Sequence, residues 1–285
     1  MKVVVLGGSG TLGRALVARL RARGVDVLAA SRRTGVDLVS GNGLTEALDG
    51  ADTVVHAASN PLRPKRVDLQ GTRRLIDTVR RSAVPAHVVY VSIVGCDANP
   101  YPYYRVKHAC EQLLGADDEL PVTVVRATQF HSLVATIARS ARPLGTGITI
   151  RDLAVQPCDV GYVADRLDEI ATTPPPAGFS RHDDLAGPER LTLAEGVAAL
   201  ATHDGVRLRR RITLPALGNV ARAFAAGTQL AGPDAELGGR TFTDWLAALP
   251  PRPRTGRRDP RSPARRQPLP SSVLTPGGAG GLLLP

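Results

Sequence analysis

A tyrosine and a lysine near the middle of the chain have a spacing suited to proton-transfer chemistry. Tyr103 and Lys107 stand in the pattern Y-x-x-x-K, so a helix places them on one face, one turn apart. A phenol with an unperturbed pKa of about 10 needs a close cation to exchange a proton near neutral pH. Lys107 is one of only three lysines among 36 basic residues. Tyr104, at i, i+3 from the lysine, is the alternative phenol.

A glycine-rich turn follows the first hydrophobic run, Val3–Leu6. Its glycines recur every three residues: Gly7, Gly10 and Gly13. Apolar residues with helical spacing come next: Leu12, Leu16, Val17 and Leu20. Glycines let the backbone adopt positive φ and let a diphosphate approach without a Cβ in the way. The helix start, with the N–H groups of Thr11 and Leu12, attracts the anion. This strand, turn and helix predict a dinucleotide-binding unit.

The second predicted strand ends in residues that favour a phosphorylated ribose. An acid at this position selects NAD by binding the ribose 2′-hydroxyl. This chain has Ser31, Arg32 and Arg33 there instead. Guanidinium groups pair bidentately with phosphate, so the sequence predicts NADP(H) in preference to NAD(H), with NAD(H) still possible. The alternative is that both arginines lie in a solvated surface turn.

These features resemble the short-chain dehydrogenase/reductase superfamily and, within it, the atypical NmrA-like branch of NAD(P)-binding proteins. The resemblance covers about residues 1–249. It implies that Tyr103 gives or takes the proton at a substrate carbonyl or alcohol. It also implies that Lys107 bonds the nicotinamide ribose and lowers the pKa of the tyrosine. Ser92, at the end of the fifth predicted strand, would hold and polarise the substrate oxygen.

Further segments carry the same resemblance. The segment DTVVHAAS is similar to one of the extended dehydrogenases, whose small residues, here Ala57 and Ala58, let the cofactor lie across a strand end. Relatives have Gly-Asp where this chain has Gly41 and Asn42, so the Asn42 amide is expected near the adenine. The family's D-x-x-G-T helix start, which packs under the cofactor, is matched by Asp68, Gly71 and Thr72. An R-x-x-x-F pattern of NmrA-like proteins is matched by Arg126 and Phe130.

The predicted elements alternate between strand and helix. Short apolar runs predict six strands in the first half: Val3–Leu6, Val25–Ala30, a short strand and a turn over Leu38–Gly43, a strand with its exit turn over 52–59, 86–92 and 121–126. Helical spacing falls between most of them. This alternation predicts an α/β fold, a doubly wound Rossmann-type parallel sheet. Ligands bind outside the carboxyl ends of such strands, so Gln129 and Phe130, just after the sixth strand, are candidates for the nicotinamide and substrate pocket.

The chain divides into three predicted regions. Residues 1–131 form the NAD(P)-binding core, and residues 132–249 form a small substrate-binding or lid region that completes the fold. Residues 250–285, rich in proline, arginine and glycine, are expected to be a disordered tail. That tail carries seven arginines and one acid, so it accounts for +6 of the net charge of +10.

Composition narrows the partners. The basic tail has no interleaved aromatic residue, which argues against nucleic-acid binding as the main function. No apolar run reaches membrane-spanning length. Three scattered cysteines, Cys96, Cys110 and Cys158, suggest reduced thiols in a cytoplasmic protein, without a metal site. A small-molecule substrate is the expected partner.

Three functional hypotheses remain open. The first is an NAD(P)H-dependent oxidoreductase that passes a hydride to or from a small carbonyl, alcohol or quinone-like substrate. The second is a non-catalytic NmrA-like redox sensor that binds the dinucleotide without turnover. The third is an NAD-dependent sugar-nucleotide epimerase or dehydratase, against which the arginines after the second strand count.

Overall fold

A parallel sheet forms the centre of the protein. The computed structural model describes residues 1–82 and 84–250. The strands of this sheet are β1 (Lys2–Leu6), β2 (Asp26–Ala30), β3 (Thr53–His56), β4 (His87–Ile93), β5 (Val122–Ala127), β8 (Phe179–Arg181), β9 (Leu185–Ala186) and β12 (Glu236–Leu237). Their order is β12-β9-β5-β4-β3-β1-β2, with β8 also paired to β5. Each of these pairings is parallel.

Helices cover both faces of the sheet. The described helices are α1 (Thr11–Ala22), α2 (Leu44–Leu48), α3 (Gln70–Val79), α4 (Pro102–Leu114), α5 (His131–Ser140), α6 (Val160–Thr172), α7 (Leu193–His203), α8 (Gly218–Ala225) and α9 (Phe242–Ala247). On one face, α1 and α6 bury Leu16, Leu20 and Leu167. On the other face, α2, α3 and α4 supply apolar residues to a second core cluster. The predicted doubly wound α/β fold is confirmed.

A third core cluster joins helices of the second half. It contains Val134 of α5, Leu200 of α7 and Phe242 of α9. Four short strands pair beside them in two two-stranded sheets: β6 (Thr146–Ile150) with β11 (Arg210–Leu214), and β7 (Ala154–Val155) with β10 (Leu191–Thr192). Helix α8 buries none of its residues. No helix in the described residues is long and apolar enough to cross a membrane.

Of the short strand and turn predicted over Leu38–Gly43, the strand is wrong, because this segment folds as turns. The Asp37 carboxylate accepts the N–H of Val39 at 2.8 Å, and the Asp37 carbonyl accepts the N–H of Gly41 at 2.7 Å. Gly41 and Gly43 have φ values of +88° and +67°, which a strand does not contain. Local turn chemistry therefore replaces the strand, and β2 is left at the edge of the sheet.

Most other predicted elements are present within a few residues of their expected bounds. The helix predicted over 67–82 begins earlier, with a π-helical turn at Lys65–Leu69 that continues into α3. Strands β8, β9 and β12 were not predicted. The expected disorder of residues 250–285 concerns a segment that, from residue 251 onward, lies outside the described residues.

Candidate functional site

The turn between β1 and α1 can be built only with glycine at its key positions. Gly7 has a φ of +85°, and a Cβ on it would lie 2.7 Å from the backbone nitrogen of Ala58. The N–H of Gly10 donates to the carbonyl of Gly7 at 2.8 Å and closes the bend. A Cβ on Gly13 would lie 2.2 Å from the same carbonyl oxygen, so this glycine lets α1 pack against the turn. Gly7 and Gly13 thereby let the end of β1 approach the end of β3 and the start of α1 closely.

The N-terminus of α1 is suited to an anion. Gly10 caps the helix without a side chain, and the first turn contains no acidic residue. The N–H of Arg14 is the one that donates to the Gly10 carbonyl, at 3.0 Å. The preceding N–H groups, those of Thr11, Leu12 and Gly13, therefore have no carbonyl one turn earlier to bind. Together with the helix dipole they provide a partial positive charge.

A cleft of about 350 Å³ lies beside this turn. Several residues predicted from the sequence line it: Gly7, Gly10, Ser31, Arg32, Arg33, Ala57 and Ala58. Further lining residues were not predicted: Leu6, Ser9, Ala30, Val36, Asp37, Leu38, Val39, Ser59, Asn60 and Val67. The cleft thus extends along the carboxyl ends of β1, β2 and β3, where an open parallel sheet binds its ligands.

The two arginines after β2 face this cleft with their charges available. Arg32 and Arg33 are exposed and start a single helical turn, Arg32–Thr34. The N–H of Ser31 donates to the Thr34 hydroxyl at 2.9 Å and fixes the start of that turn. Among residues 1–82 and 84–250, no acidic side chain forms a salt bridge with either arginine. Both guanidinium groups can therefore bind an anion.

These residues fit a dinucleotide. Gly7 and Gly10 line the cleft, the N–H groups at the start of α1 directly follow Gly10, and the two cations beyond β2 line the same cleft. A diphosphate needs the first two features, and a 2′-phosphate needs the third. The small side chains of Ala57 and Ala58 leave room at the end of β3.

Tyr103 reaches this cleft through Ser59. The tyrosine lies in the first turn of α4, which begins with Pro102. Its hydroxyl is 2.7 Å from the Ser59 hydroxyl, and Ser59 lines the cleft. Burial raises the pKa of Tyr103 well above its ordinary value, and the nearby Asp68 carboxylate raises it further. The hydrogen bond with Ser59 opposes this rise in pKa but burial prevails, so the direction is opposite to the lowering expected from Lys107.

The ammonium group of Lys107, which stands one helical turn after Tyr103 in α4, is buried. Its side chain is 3% exposed, and Nζ donates to the carbonyl of Val91 at 2.7 Å. The same nitrogen lies 4.1 Å from the centre of the Tyr90 ring and 3.9 Å from Asp68 Oδ1. Burial lowers the pKa of Lys107, although Asp68 opposes this shift. The positive charge of Lys107 thus lies close to both a buried carboxylate, Asp68, and the face of an aromatic ring, Tyr90.

Ser92 belongs to a different buried network. Its hydroxyl lies 3.8 Å from Cys96 Sγ, and no hydrogen bond joins it to Tyr103 in the described part of the chain. Arg126 donates to both carboxylate oxygens of Glu111, at 2.9 and 2.6 Å. Burial opposes ionisation of Glu111, but hydrogen bonds from Arg126 and Ser92 outweigh it and lower the pKa of this carboxyl. The structure therefore does not bring Ser92 together with Tyr103.

Six other predicted cofactor residues do not line the cleft: Thr11, Leu12 and Gly13, which follow Gly10 at the start of α1, and Asn42, Gln129 and Phe130. Asn42 is exposed in the turn after β2. The amide of Gln129 donates to the Gln229 carbonyl at 3.1 Å, and Phe130 forms a parallel bridge with Cys158. Gln129 and Phe130 thereby connect β5 to the second half of the chain.

Sequence reasoning missed two polar residues at the centre of the site, Ser59 and Asp68. Ser59 follows β3 directly, so the rule that ligands bind beyond strand ends could have found it. Asp68 is fully buried and accepts a hydrogen bond from Ser59 at 2.6 Å and one from the N–H of Asn60 at 3.1 Å. Its family pattern predicted only a packing role.

His56 is a buried structural residue. Its side chain is 1% exposed, and Nε2 lies 3.3 Å from the Thr72 hydroxyl. Burial lowers its pKa to about 3. The three cysteines are free and buried.

Two curated proteins are similar to part of this chain. Photosystem II assembly factor Ycf39 from Synechocystis sp. is 28% identical over 148 residues, which are 46% of this chain and 45% of that protein. The dTDP-6-deoxy-L-talose 4-dehydrogenase (NAD(P)(+)) of Kitasatospora kifunensis is 37% identical over 112 residues, 33% of this chain and 35% of that protein. The chain thus spans less than half the length of these relatives.

The fold is shared with solved structures and the N-terminal half with a known family. A short-chain dehydrogenase/reductase superfamily protein from Agrobacterium tumefaciens, solved with bound NAD, is similar with a TM-score of 0.60 at 19% identity, over 77% of this chain and 87% of that one. Residues 3–131 match the NAD dependent epimerase/dehydratase family. The NmrA-like branch stays a prediction. The matched residues include the glycine turn, the arginines after β2 and the pair Tyr103 and Lys107.

Proposed function

We propose that this protein is an NADP(H)-dependent oxidoreductase that transfers a hydride between the nicotinamide and a small carbonyl or alcohol substrate. One observation carries the proposal. The hydroxyl of Tyr103 lies 2.7 Å from Ser59, a residue of the cleft that begins at the glycine turn. A proton-transferring phenol and a dinucleotide cleft therefore adjoin each other.

The residues of the cleft divide the binding task. The backbone at Gly7 and Gly10 and the N–H groups of Thr11 and Leu12 would hold the diphosphate. Arg32 and Arg33 would bind the 2′-phosphate, which is why NADP(H) is preferred and NAD(H) remains possible. When bound, the dinucleotide supplies the hydride donor or acceptor.

Tyr103 would exchange a proton with the substrate oxygen while the hydride moves at carbon. Positioned proton transfer of this kind contributes about 10²- to 10⁴-fold to a rate. Lys107, whose Nζ lies 3.9 Å from Asp68 Oδ1, would supply positive charge beside the carboxylate that Ser59 contacts. Ser92 contacts Cys96 and Glu111, so we assign it a structural role in the wall of the site.

The test is turnover with a panel of aldehydes, ketones, quinones and a dTDP-linked 4-hydroxy sugar, followed by dinucleotide absorbance. The last substrate is included because the Kitasatospora relative is a 4-dehydrogenase of such a sugar. We expect Tyr103→Phe to lower kcat by about 10²-fold or more, with dinucleotide affinity unchanged. Tyr101→Phe, which removes the phenol two residues earlier, is the matched control and should keep full activity. Equal activity of Tyr103→Phe and the wild type would overturn the proposal.

The redox-sensor hypothesis is the second candidate, and one observation favours it. Of the residues expected to act together, Ser92 forms no hydrogen bond with Tyr103 in the described residues, and its hydroxyl lies 3.8 Å from Cys96 Sγ. A sensor requires the dinucleotide cleft but no contact between these two hydroxyls. Tight NADPH binding without turnover of any member of the panel would favour this candidate.

A further inference from the structure

The hydrogen bonds around Tyr103 have a defined direction. Asp68 Oδ1 accepts from the Ser59 hydroxyl at 2.6 Å, and a carboxylate has no hydrogen to return. The single hydrogen of Ser59 is therefore committed to Asp68. The 2.7 Å contact between Ser59 and Tyr103 must then be donated by the phenol. This leaves the lone pairs of the Tyr103 oxygen to accept a hydrogen from a substrate.

Asp68 is held in place as an anion would be. The residue is 0% exposed, and its Oδ2 accepts the Asn60 N–H at 3.1 Å. Lys107 Nζ lies 3.9 Å from Oδ1. A buried carboxylate is costly unless it is hydrogen-bonded and paired, and Asp68 is both. It also lies in the π-helical turn Lys65–Leu69, a type of distortion often found at functional sites.

Resting on the proposed function, we propose that Ser59 and Asp68 form a proton relay that makes Tyr103 a base for alcohol oxidation. The alcohol O–H proton moves to the Tyr103 oxygen as the phenol proton moves to Ser59 and the Ser59 proton moves to Asp68. The alcohol carbon gives its hydride, with both electrons of the C–H bond, to NADP⁺. The products are the carbonyl compound, NADPH and a neutral Asp68. Carbonyl reduction runs the same transfers backwards.

Other charged and titratable groups surround the relay. Helix α4 contributes Lys107, Tyr103 and Cys110. Strands β4 and β3 contribute Tyr90 and His56. Of these, Lys107 is the group that forms a salt bridge with Asp68 in the described residues. Ser59 and Asp68 act through Tyr103, so both are positioning residues.

The kinetic test replaces Ser59, because removing Asp68 from a buried pair can unfold the protein. In the alcohol-oxidising direction near neutral pH, Ser59→Ala should lower kcat by about tenfold while KM changes little. The kcat of this variant should rise with pH where the wild type is flat, because the phenol proton must now leave to solvent. Ser59→Thr keeps the hydroxyl and should restore both properties. Ser82→Ala, an exposed serine at the end of α3, is the control.

An independent readout does not require turnover. In protein carrying ¹³Cζ-labelled tyrosine, the Tyr103 resonance is assigned by its loss in Tyr103→Phe. We expect Ser59→Ala and Asp68→Asn each to shift it, and Ser59→Thr to leave it near the wild-type position. An active wild type with unchanged kcat and pH profile in Ser59→Ala would overturn the relay alone. An inactive wild type with a shifted resonance would overturn the proposed function, and the relay would then be a structural contact. If the Tyr103 resonance stayed at the wild-type position in Ser59→Ala and Asp68→Asn as well as in Ser59→Thr, the hydrogen-bond chain itself would be overturned.

Discussion

At the scale of single residues, burial and hydrogen bonding decide which groups carry charge in the site. Tyr103 is a neutral phenol because burial and Asp68 both raise its pKa. The ammonium group of Lys107 lies close to a carboxylate, a carbonyl and an aromatic ring, all of which stabilise a cation. By contrast, Arg32 and Arg33 lie in the open at the cleft. Their charge is the one most accessible to a ligand.

The accessible arginines lead to a prediction about cofactor choice. Replacing both in Arg32→Ala/Arg33→Ala should weaken NADPH binding by about tenfold or more, because each charge-assisted hydrogen bond to phosphate contributes about 1.5–3 kcal/mol. NADH lacks the 2′-phosphate, so its affinity should change far less. Fluorescence titration with the two dinucleotides measures both.

The control for this experiment is Arg21→Ala. Arg21 is exposed in the last turn of α1, about 15 Å along the helix from its N-terminus. This variant removes one positive charge without touching the cleft, so both affinities should stay close to wild type. Equal losses of NADPH and NADH affinity in the double variant would contradict the 2′-phosphate assignment.

At the scale of elements, the site depends on close approach between β1, its turn and α1. Gly13→Ala adds a Cβ that would lie 2.2 Å from the Gly7 carbonyl oxygen, a backbone atom that cannot move alone. We expect this change to destabilise the protein by about 1–3 kcal/mol, as for other overpacked sites, and to weaken dinucleotide binding. Urea unfolding and fluorescence titration measure the two effects.

The matched control uses the same substitution where space is open. A Cβ on Gly232 would meet nothing within 4 Å, and Gly232 is not among the glycines with positive φ. Gly232→Ala should therefore leave both stability and binding near wild type. If Gly13→Ala behaved in the same way, α1 would have to be free to shift away from the turn.

The elements also explain what the sequence could predict. Helix α1 and strands β1, β3 and β4 have strong local patterns, and all lie where expected. Strands β8, β9 and β12 have only two or three residues, and distant partners define them: Phe179 pairs with Val122. Local pattern reading cannot find such pairings. The segment after β2 failed for another reason, because the Asp37 side chain and two glycines impose turns on an apolar run.

The site shows the same division. The glycines, Arg32 and Tyr103 were predicted because each stands in a local motif with a fixed spacing. Ser59 contacts Tyr103, which is 44 residues away in the sequence. This contact and the partners of the Lys107 ammonium group depend on how α4 packs against the end of β3. Ser92 lies near the end of a strand as predicted, but its hydroxyl contacts Cys96 and Glu111 instead of Tyr103. The spacing of residues in the sequence thus indicates which residue types could act, whereas tertiary packing determines which groups they contact.

At the scale of the whole molecule, two buried histidines of the central sheet make the stability of the protein depend on pH. His56 on β3 and His87 on β4 are 1% and 3% exposed. Burial lowers their pKa values to about 3 and about 4, respectively. An unfolded chain protonates histidine near pH 6.5, so below that value the unfolded state binds more protons than the folded state. The free energy of unfolding must therefore fall as pH falls.

The size of this effect can be checked by urea unfolding between pH 7 and pH 5. Each buried neutral histidine costs about 1.4 kcal/mol per pH unit below pH 6.5, so His56 and His87 together should lower the free energy of unfolding by about 4 kcal/mol between pH 7 and pH 5. Carboxyls with lowered pKa values, such as Glu111 and Asp159, lose their contribution only below about pH 4.5, outside this window.

His87→Gln separates the two histidines. His87 Nε2 lies 2.9 Å from the Thr123 hydroxyl, and a glutamine amide can keep a hydrogen bond there without a proton to gain. The variant should lose about 2 kcal/mol less stability than the wild type between pH 7 and pH 5, because His56 and His131, whose pKa values burial also lowers, still resist protonation in the folded state. Above pH 7 its pH dependence should equal that of the wild type, since both imidazoles are neutral in either state. An unchanged slope between pH 7 and pH 5 would mean that His87 takes up its proton in the folded sheet, and that strands β4 and β5 open to water around it.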